Sequence, residues 1–251
     1  MWLAAAGCKQ LFGLDEPVVR DGGGSNVDTR PSNDVALRDG IGLDSLSSDG
    51  SVGTIALVQY HFATGMGNQF TVTYQSAQRA GDLNVIAVGW EAASLITSLT
   101  DTAGNTYSTA AQTTSGMTNE TIYYSCNIAA ATNNHVTVQF SLQSPVDLRI
   151  AEYSGLVKAG CWDGAVESGG TATTESSTAL QTTRAPVLLF AANMTTQTTT
   201  AADPMFTNRG ITNDGDLVED RVVTTIGTYQ ATATQNMTGT WVMELVGFAG
   251  Q

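Results

Sequence analysis

After residue 53, apolar and polar positions alternate with period two along most of the chain. In "HVTVQFSL", Val136, Val138, Phe140 and Leu142 fall on one face and His135, Thr137, Gln139 and Ser141 on the other. That is the pattern of a strand with one buried side. "QFTVTY" alternates Phe70, Val72 and Tyr74 in the same way. "LNVIAVGW" (83–90) and "VLLFAANM" (187–194) are almost continuously apolar, as central strands covered on both faces would be. "TIALVQY", "SLITSLTD", "TIYYSCN", "DLRIAEYS", "DRVVTTIGTYQATAT" and "TWVMELVGFA" supply further strands. No stretch sustains the apolar stripe of a helix.

The punctuation between these runs belongs to turns. "TDTAGNTYST" places two short β runs around Ala103-Gly104-Asn105 and predicts a hairpin. "TNDGDLVED" and "ATNNH" are turn clusters. About ten to fourteen short strands at roughly ten-residue spacing predict an all-β sandwich, jelly-roll or immunoglobulin-like. It would occupy residues 54–251.

Charge narrows the partners. Charged residues make up 13% of the chain and the net charge is −13. After residue 53 the basic residues are Arg79, Arg149, Lys158, Arg184, Arg209 and Arg221, too scattered to form a stripe. Nucleic-acid binding needs clustered cations to replace phosphate counterions and is set aside. Attraction to anionic lipid fails for the same reason.

The N-terminal residues differ from the rest. "MWLAAAG" is too short to span a bilayer and lacks a basic n-region. "AAAGC" nevertheless resembles the lipobox of bacterial lipoproteins, in which small residues precede the cysteine that is lipidated after cleavage. Carried over, that residue is Cys8, with Ala5 where leucine is more usual. Residues 1–8 then read as the remnant of a lipoprotein signal. Residues 9–53, rich in Gly, Ser and Asp, read as a flexible acidic tether that buries too little to offset its ordering entropy. The order "GDLNVIAVGW … ITSLTDTAGNTY … DLRIAEYSGL … VLLFAANM … DGDLVEDRVV … WVMELVGF" also resembles a β-sandwich module of bacterial secreted and surface proteins. The two resemblances imply a cell-envelope or extracellular location, with a lipid on Cys8 as the tie to the outer membrane. They imply no activity.

If Cys8 carries lipid, Cys126 and Cys161 can pair. In an oxidising compartment such a bridge would stabilise by roughly 3–4 kcal/mol. The alternative is two buried free thiols. Asn119, Asn193 and Asn236 match N-x-Thr, which in a bacterial protein is read as chance.

Candidate chemistry is sparse. His61 and His135 are isolated, and no zinc, Walker or G-x-S-x-G motif occurs. Strand alternation places Glu152 on an apolar face with Leu148 and Ile150, with Arg149 pointing the other way. Glu244 shares a face with Val242 and Val246, and Arg221 shares one with Val223. Two inward acids and an inward arginine read either as a buried Arg–Glu arrangement that fixes register or as a carboxylate pair for glycoside hydrolysis. "TNDGDLVED" concentrates Asn213, Asp214, Asp216, Glu219 and Asp220, and Asp214, Asp216 and Asp220 are candidate calcium ligands. Among the aromatics, Trp90 and Trp241 sit in apolar strands and read as core. Trp162, with Asp163 and Tyr107, is the candidate glycan-binding set. Three functions follow: a non-enzymatic surface module that binds glycans or adheres, a polysaccharide hydrolase using Glu152 and Glu244, and a structural spacer or assembly subunit.

Overall fold

The computed structural model describes residues 53–251. Cys8 and the segments read as signal and tether lie outside the described residues. No helix occurs among the described residues, and two six-stranded antiparallel sheets pack face to face as a β-sandwich.

The first sheet is made from β1 (Ala56–Thr73), β2 (Leu83–Glu91), β3 (Ile96–Asp101), β4 (Ser108–Ser115), β5 (Thr118–Ser125) and β6 (His135–Ser154). Its order is β1-β6-β2-β5-β4, with β3 also on β6. The second half of the chain contributes β7 (Trp162–Ser176), β8 (Leu180–Gln181), β9 (Val187–Thr195), β10 (Thr199–Ala202), β11 (Thr207–Ile211), β12 (Leu217–Val223), β13 (Thr228–Tyr229) and β14 (Thr232–Ala249). The second sheet runs β10-β14-β9-β12-β11, with β7 also on β14, while β8 and β13 pair with each other.

Three apolar layers follow from the alternation. Val85, Ala87, Ile122 and Tyr153 of the first sheet meet Phe190, Ala192, Val218 and Phe248 of the second in the layer between the sheets. Each sheet also has a covered outer face. In the first, the register of β1 against β6 slips between Gly67 and Gln69. Beyond the slip, Val72, Val136, Val138 and Phe140 pack on Ile86, Val88, Leu148 and Ile150. Trp90 and Phe140 meet there at 5.7 Å between ring centroids. In the second, Leu189, Ala191, Met243 and Leu245 are covered in the same manner by Ala231 and Ala233. β2 and β9 are therefore buried on both sides along their length, as their continuous apolarity requires. Trp90 and Trp241 are buried.

Two local expectations are corrected, and one strand was not read from the sequence. "TDTAGNTYST" is not a hairpin: β3 pairs with β6 and β4 with β5, because Asp101 is spent on capping its own loop through the Asn105 amide and side chain. "DRVVTTIGTYQATAT" is not one strand but the end of β12, β13 and the start of β14. β7 carried no apolar alternation in the sequence. It is an outer strand held by β14 alone, and most of its residues are partly or fully exposed.

Cys126 and Cys161 form a disulfide with Cα atoms 6.2 Å apart. It joins the end of β5 to the residue before β7 and so ties one sheet to the other. A bridge across 35 positions restricts the unfolded chain by about 3–4 kcal/mol. Reduction without denaturant is expected to lower the melting temperature by about 10 °C, measured by circular dichroism with and without reductant. An unchanged transition would show that the bridge does not stabilise the fold.

Candidate functional site

The layer between the sheets is apolar at one end and acidic at the other. Asp147 and Arg149 lie two apart on β6, so both side chains leave the same face of the strand. β5, one strand further on across β2, contributes Glu120, since Gly89 of β2 lies opposite both Glu120 and Asp147. Gly89 is what makes room: a Cβ there would stand 2.6 Å from Met194 Sδ and 3.0 Å from Arg149 Nη2.

Arg149 is fully buried and crosses to the second sheet. Its Nη1 donates to the carbonyls of Asn193 (2.6 Å) and Leu217 (3.1 Å), and its Nη2 to Glu120 Oε1 at 2.6 Å. Nε lies 3.4 Å from Asp147 Oδ1. Asp147 also accepts the Thr212 hydroxyl, and Asp216 accepts the Thr195 amide at 2.8 Å. Asn193 is the hub on the other side. It donates to Glu175 Oε2 (2.6 Å) and Thr199 Oγ1 (2.9 Å) and accepts the Leu217 amide. Glu244 faces the same layer. Neither of its oxygens has a hydrogen-bond partner.

One guanidinium does not balance these acids. Burial pushes Glu120 up to about 7 even with Arg149 beside it. Burial likewise holds Glu175 at about 7 and Glu219 at about 8, and raises Asp216 and Glu244 well above the carboxylate range. Glu120 and Asp147 counter the desolvation of Arg149 and keep it charged. A cleft of about 290 Å³ opens beside the cluster, lined by Glu91, Pro145, Met194, Thr195, Thr196 and Asp214.

Several expected sites are taken apart by this arrangement. Arg149 leaves β6 on the face opposite Glu152, as alternation requires, and that face enters the layer between the sheets, because β6 is central and has no solvated face at that point. Glu152 and Glu244 do not meet. Glu152 leaves β6 on the side of Leu148 and Ile150, away from that layer, and accepts from the Gln59 side chain and the Arg79 amide. Its neighbour Asp82 is raised to about 6 by burial and by Glu152. Arg221 is not the inward arginine. It is half-buried, with its guanidinium 5.5 Å from the centre of the Tyr229 ring.

The candidate calcium ligands diverge. Asp216 turns into the buried cluster. Asp220 takes both guanidinium nitrogens of Arg209 and the Tyr153 hydroxyl. Asp214 stays exposed at the turn. Among the described residues, no group of three or more His, Cys, Asp or Glu is placed to hold a metal ion.

Trp162 and Tyr107 also part company. The Tyr107 hydroxyl accepts from Asn84 and donates to Asp101. It belongs to a saturated network that includes Gln78 and Asn134, and Gln78 also lines a shallow cleft of about 510 Å³. Trp162 is 44% exposed. The backbone beneath it is fixed. Asp163 accepts the Thr183 amide, the Thr183 hydroxyl and Arg184 Nε, while Arg184 also donates to the Gly160 and Trp162 carbonyls.

Comparison of the chain with protein families, with curated proteins and with solved structures gives no match.

Two outcomes follow from the buried acids. Their protons are held in the fold and released on unfolding, so the stability they contribute is full below about pH 4.5 and is lost as pH rises through about 7–8. The melting temperature is expected to fall between pH 5 and pH 9, and Glu219→Gln should flatten that slope. An equal slope in the variant would count against Glu219. Arg149→Met leaves Glu120 and Asp147 without their cation and should cost about 3–5 kcal/mol at pH 7. Chemical denaturation at pH 5 should recover part of that loss. A loss independent of pH would show that Arg149 acts by packing.

Proposed function

We propose that this protein is a non-enzymatic surface module outside the cytoplasm, lipid-anchored through Cys8, that binds glycans by stacking on Trp162. The Cys126–Cys161 disulfide, buried at Cys161 and tying the two sheets together, is the observation that carries the location. Such bridges persist in oxidising compartments and are rare where thiols are kept reduced. For the ligand, Trp162 offers an exposed aromatic face next to that bridge. The Asp163–Arg184 latch holds its backbone, which lowers the ordering cost of binding. Tyr107 is excluded from the platform by its saturated hydroxyl, and Asp163 serves as support.

The carboxylates support a non-catalytic reading. A glycosidase needs two of them a short distance apart across an open groove. Here Glu152 and Glu244 occupy opposite faces of their sheets. A spacer or assembly role is the second reading, favoured by β1, an 18-residue outer strand whose pairing is to β6 and which offers an edge for strand addition.

A glycan array probed with residues 54–251 and with Trp162→Ala checks the first reading. Binding that drops at least tenfold in the variant, with an unchanged melting temperature, is expected. Equal binding by both proteins would remove Trp162 from the site. No binding, together with concentration-dependent self-association, would favour the assembly role.

A further inference from the structure

The two sheets are drawn from consecutive halves of the chain and share one topology. β1, β2, β3, β4, β5 and β6 correspond in turn to β7, β9, β10, β11, β12 and β14. The correspondence reaches single residues. Tyr153 pairs with Leu57 and Leu83, and Phe248 pairs with Trp162 and Leu188. The irregularities recur in place as well. β1 slips from Gly67/Ser144 to Gln69/Gln139, and β7 slips from Ala172/Gly239 to Thr174/Thr234. The slip of β3 between Ile96 and Ser98 recurs in β10 between Thr199 and Ala201. That of β4 between Thr109 and Ala111 recurs in β11 between Asn208 and Gly210. The break between Leu57 and Gln59 recurs between Trp162 and Gly164. Bulges are specific features of a strand pair, and chance does not reproduce four of them in register.

Contacts between the sheets obey the same correspondence. Tyr124 packs on Phe248, and the equivalent pair, Asp220 and Tyr153, is joined by a hydrogen bond. A side chain at Gly169 would touch Ser115 of the β4–β5 turn, and Thr64, the equivalent of Gly169, lies beside Asp214 of the β11–β12 turn. Gly89 and Met194, themselves equivalent, face each other. The two units are thus related by a pseudo-two-fold axis that runs between the sheets.

We infer that the sandwich is a fused dimer: two copies of one unit of roughly 100 residues, whose inner face is a self-recognition surface made to fit a second copy of that unit. Such a two-fold interface is self-complementary, each contact occurring twice. The inner apolar positions keep their character in both copies, as Val85/Phe190, Ala87/Ala192 and Ile122/Val218 show. The charged positions have diverged. Arg149 corresponds to Glu244 and Glu120 to Asp216. Glu244 lies near Glu120 and Asp216 near Arg149, so two copies of the second unit would set Glu244 against Asp216 with no cation, and that unit is suited to pair with the first.

The axis makes one sharp prediction. The disulfide has no counterpart on the opposite flank, where the positions equivalent to Cys161 and Cys126 are Ala56 and Val222. Both are exposed. They should face each other across the sheets at about the 6.2 Å Cα separation of the native bridge, within the range that a disulfide accepts. The double variant Ala56→Cys/Val222→Cys is expected to form a second intramolecular bridge on oxidation, mapped by non-reducing peptide mass spectrometry. Placed in Cys126→Ala/Cys161→Ala, it should restore the melting temperature lost with the native bridge. Folded protein with both new thiols reactive toward a thiol probe would overturn the axis. Native-state hydrogen exchange on the unaltered chain gives a second reading that needs no variant. The protection profiles of β2 and β9, and of β6 and β14, should rank in the same order, and unrelated profiles would sink the inference.

Discussion

The contact on which the rest depends is the burial of one sheet's inner face against the other. Neither sheet has a solvated alternative for Val85, Ile122, Phe190 or Phe248, and at roughly 25 cal/mol for each Å² of apolar surface removed from water, this layer is the largest single gain in the fold. Everything polar inside it must therefore be satisfied within it. Arg149 does this by reaching across to backbone carbonyls of the second sheet while holding Glu120 on its own. A cation bonded to two sheets at once fixes their relative position along the strands, which apolar contact alone leaves free to slide.

That solution is asymmetric, and the asymmetry has a cause. In a two-fold layer any charge near the axis meets its own kind. A fused chain can change one copy without the other, so arginine on β6 stands where glutamate stands on β14. Burial raises the surplus acids, Asp216 and Glu244, well above the carboxylate range, which favours their neutral form. The fold accepts a dependence on pH in return for a defined pairing of unlike halves, a role for buried polar groups that is best attested in setting register. The disulfide on one flank reinforces the same pairing.

The acids and the aromatics also separate function from structure. Of the carboxylates that looked like a catalytic pair or a calcium loop, three are consumed by neighbours: Glu152 by Gln59 and Arg79, Asp220 by Arg209 and Tyr153, Asp216 by the Thr195 amide; Glu244 is buried without a hydrogen-bond partner and Asp214 is exposed at its turn. Trp162 remains, exposed at the start of an outer strand. That exposure is the feature on which the proposed binding role rests.

Much of the fold was legible in the chain because a strand's burial is written locally. Period-two alternation marked β6 and the end of β1, and unbroken apolarity marked β2 and β9 as covered on both sides. Cysteine parity pointed to the bridge. β7 was invisible because an outer strand has little to bury, and its Gly and Thr residues resemble a loop. Alternation set Arg149 opposite Glu152, but it distinguishes two faces without saying that both are dry; Asp147 and Arg149, two apart, were the available clue. The duplication could not be read at all, since the equivalent positions share apolar character and slip points but few identities. Composition and alternation by themselves determined an all-β sandwich and left the pairing of Cys126 with Cys161 open. Tertiary structure alone decided which acids meet which cations, and that the two sheets are one unit twice over, because register and packing across an interface depend on residues far apart in sequence.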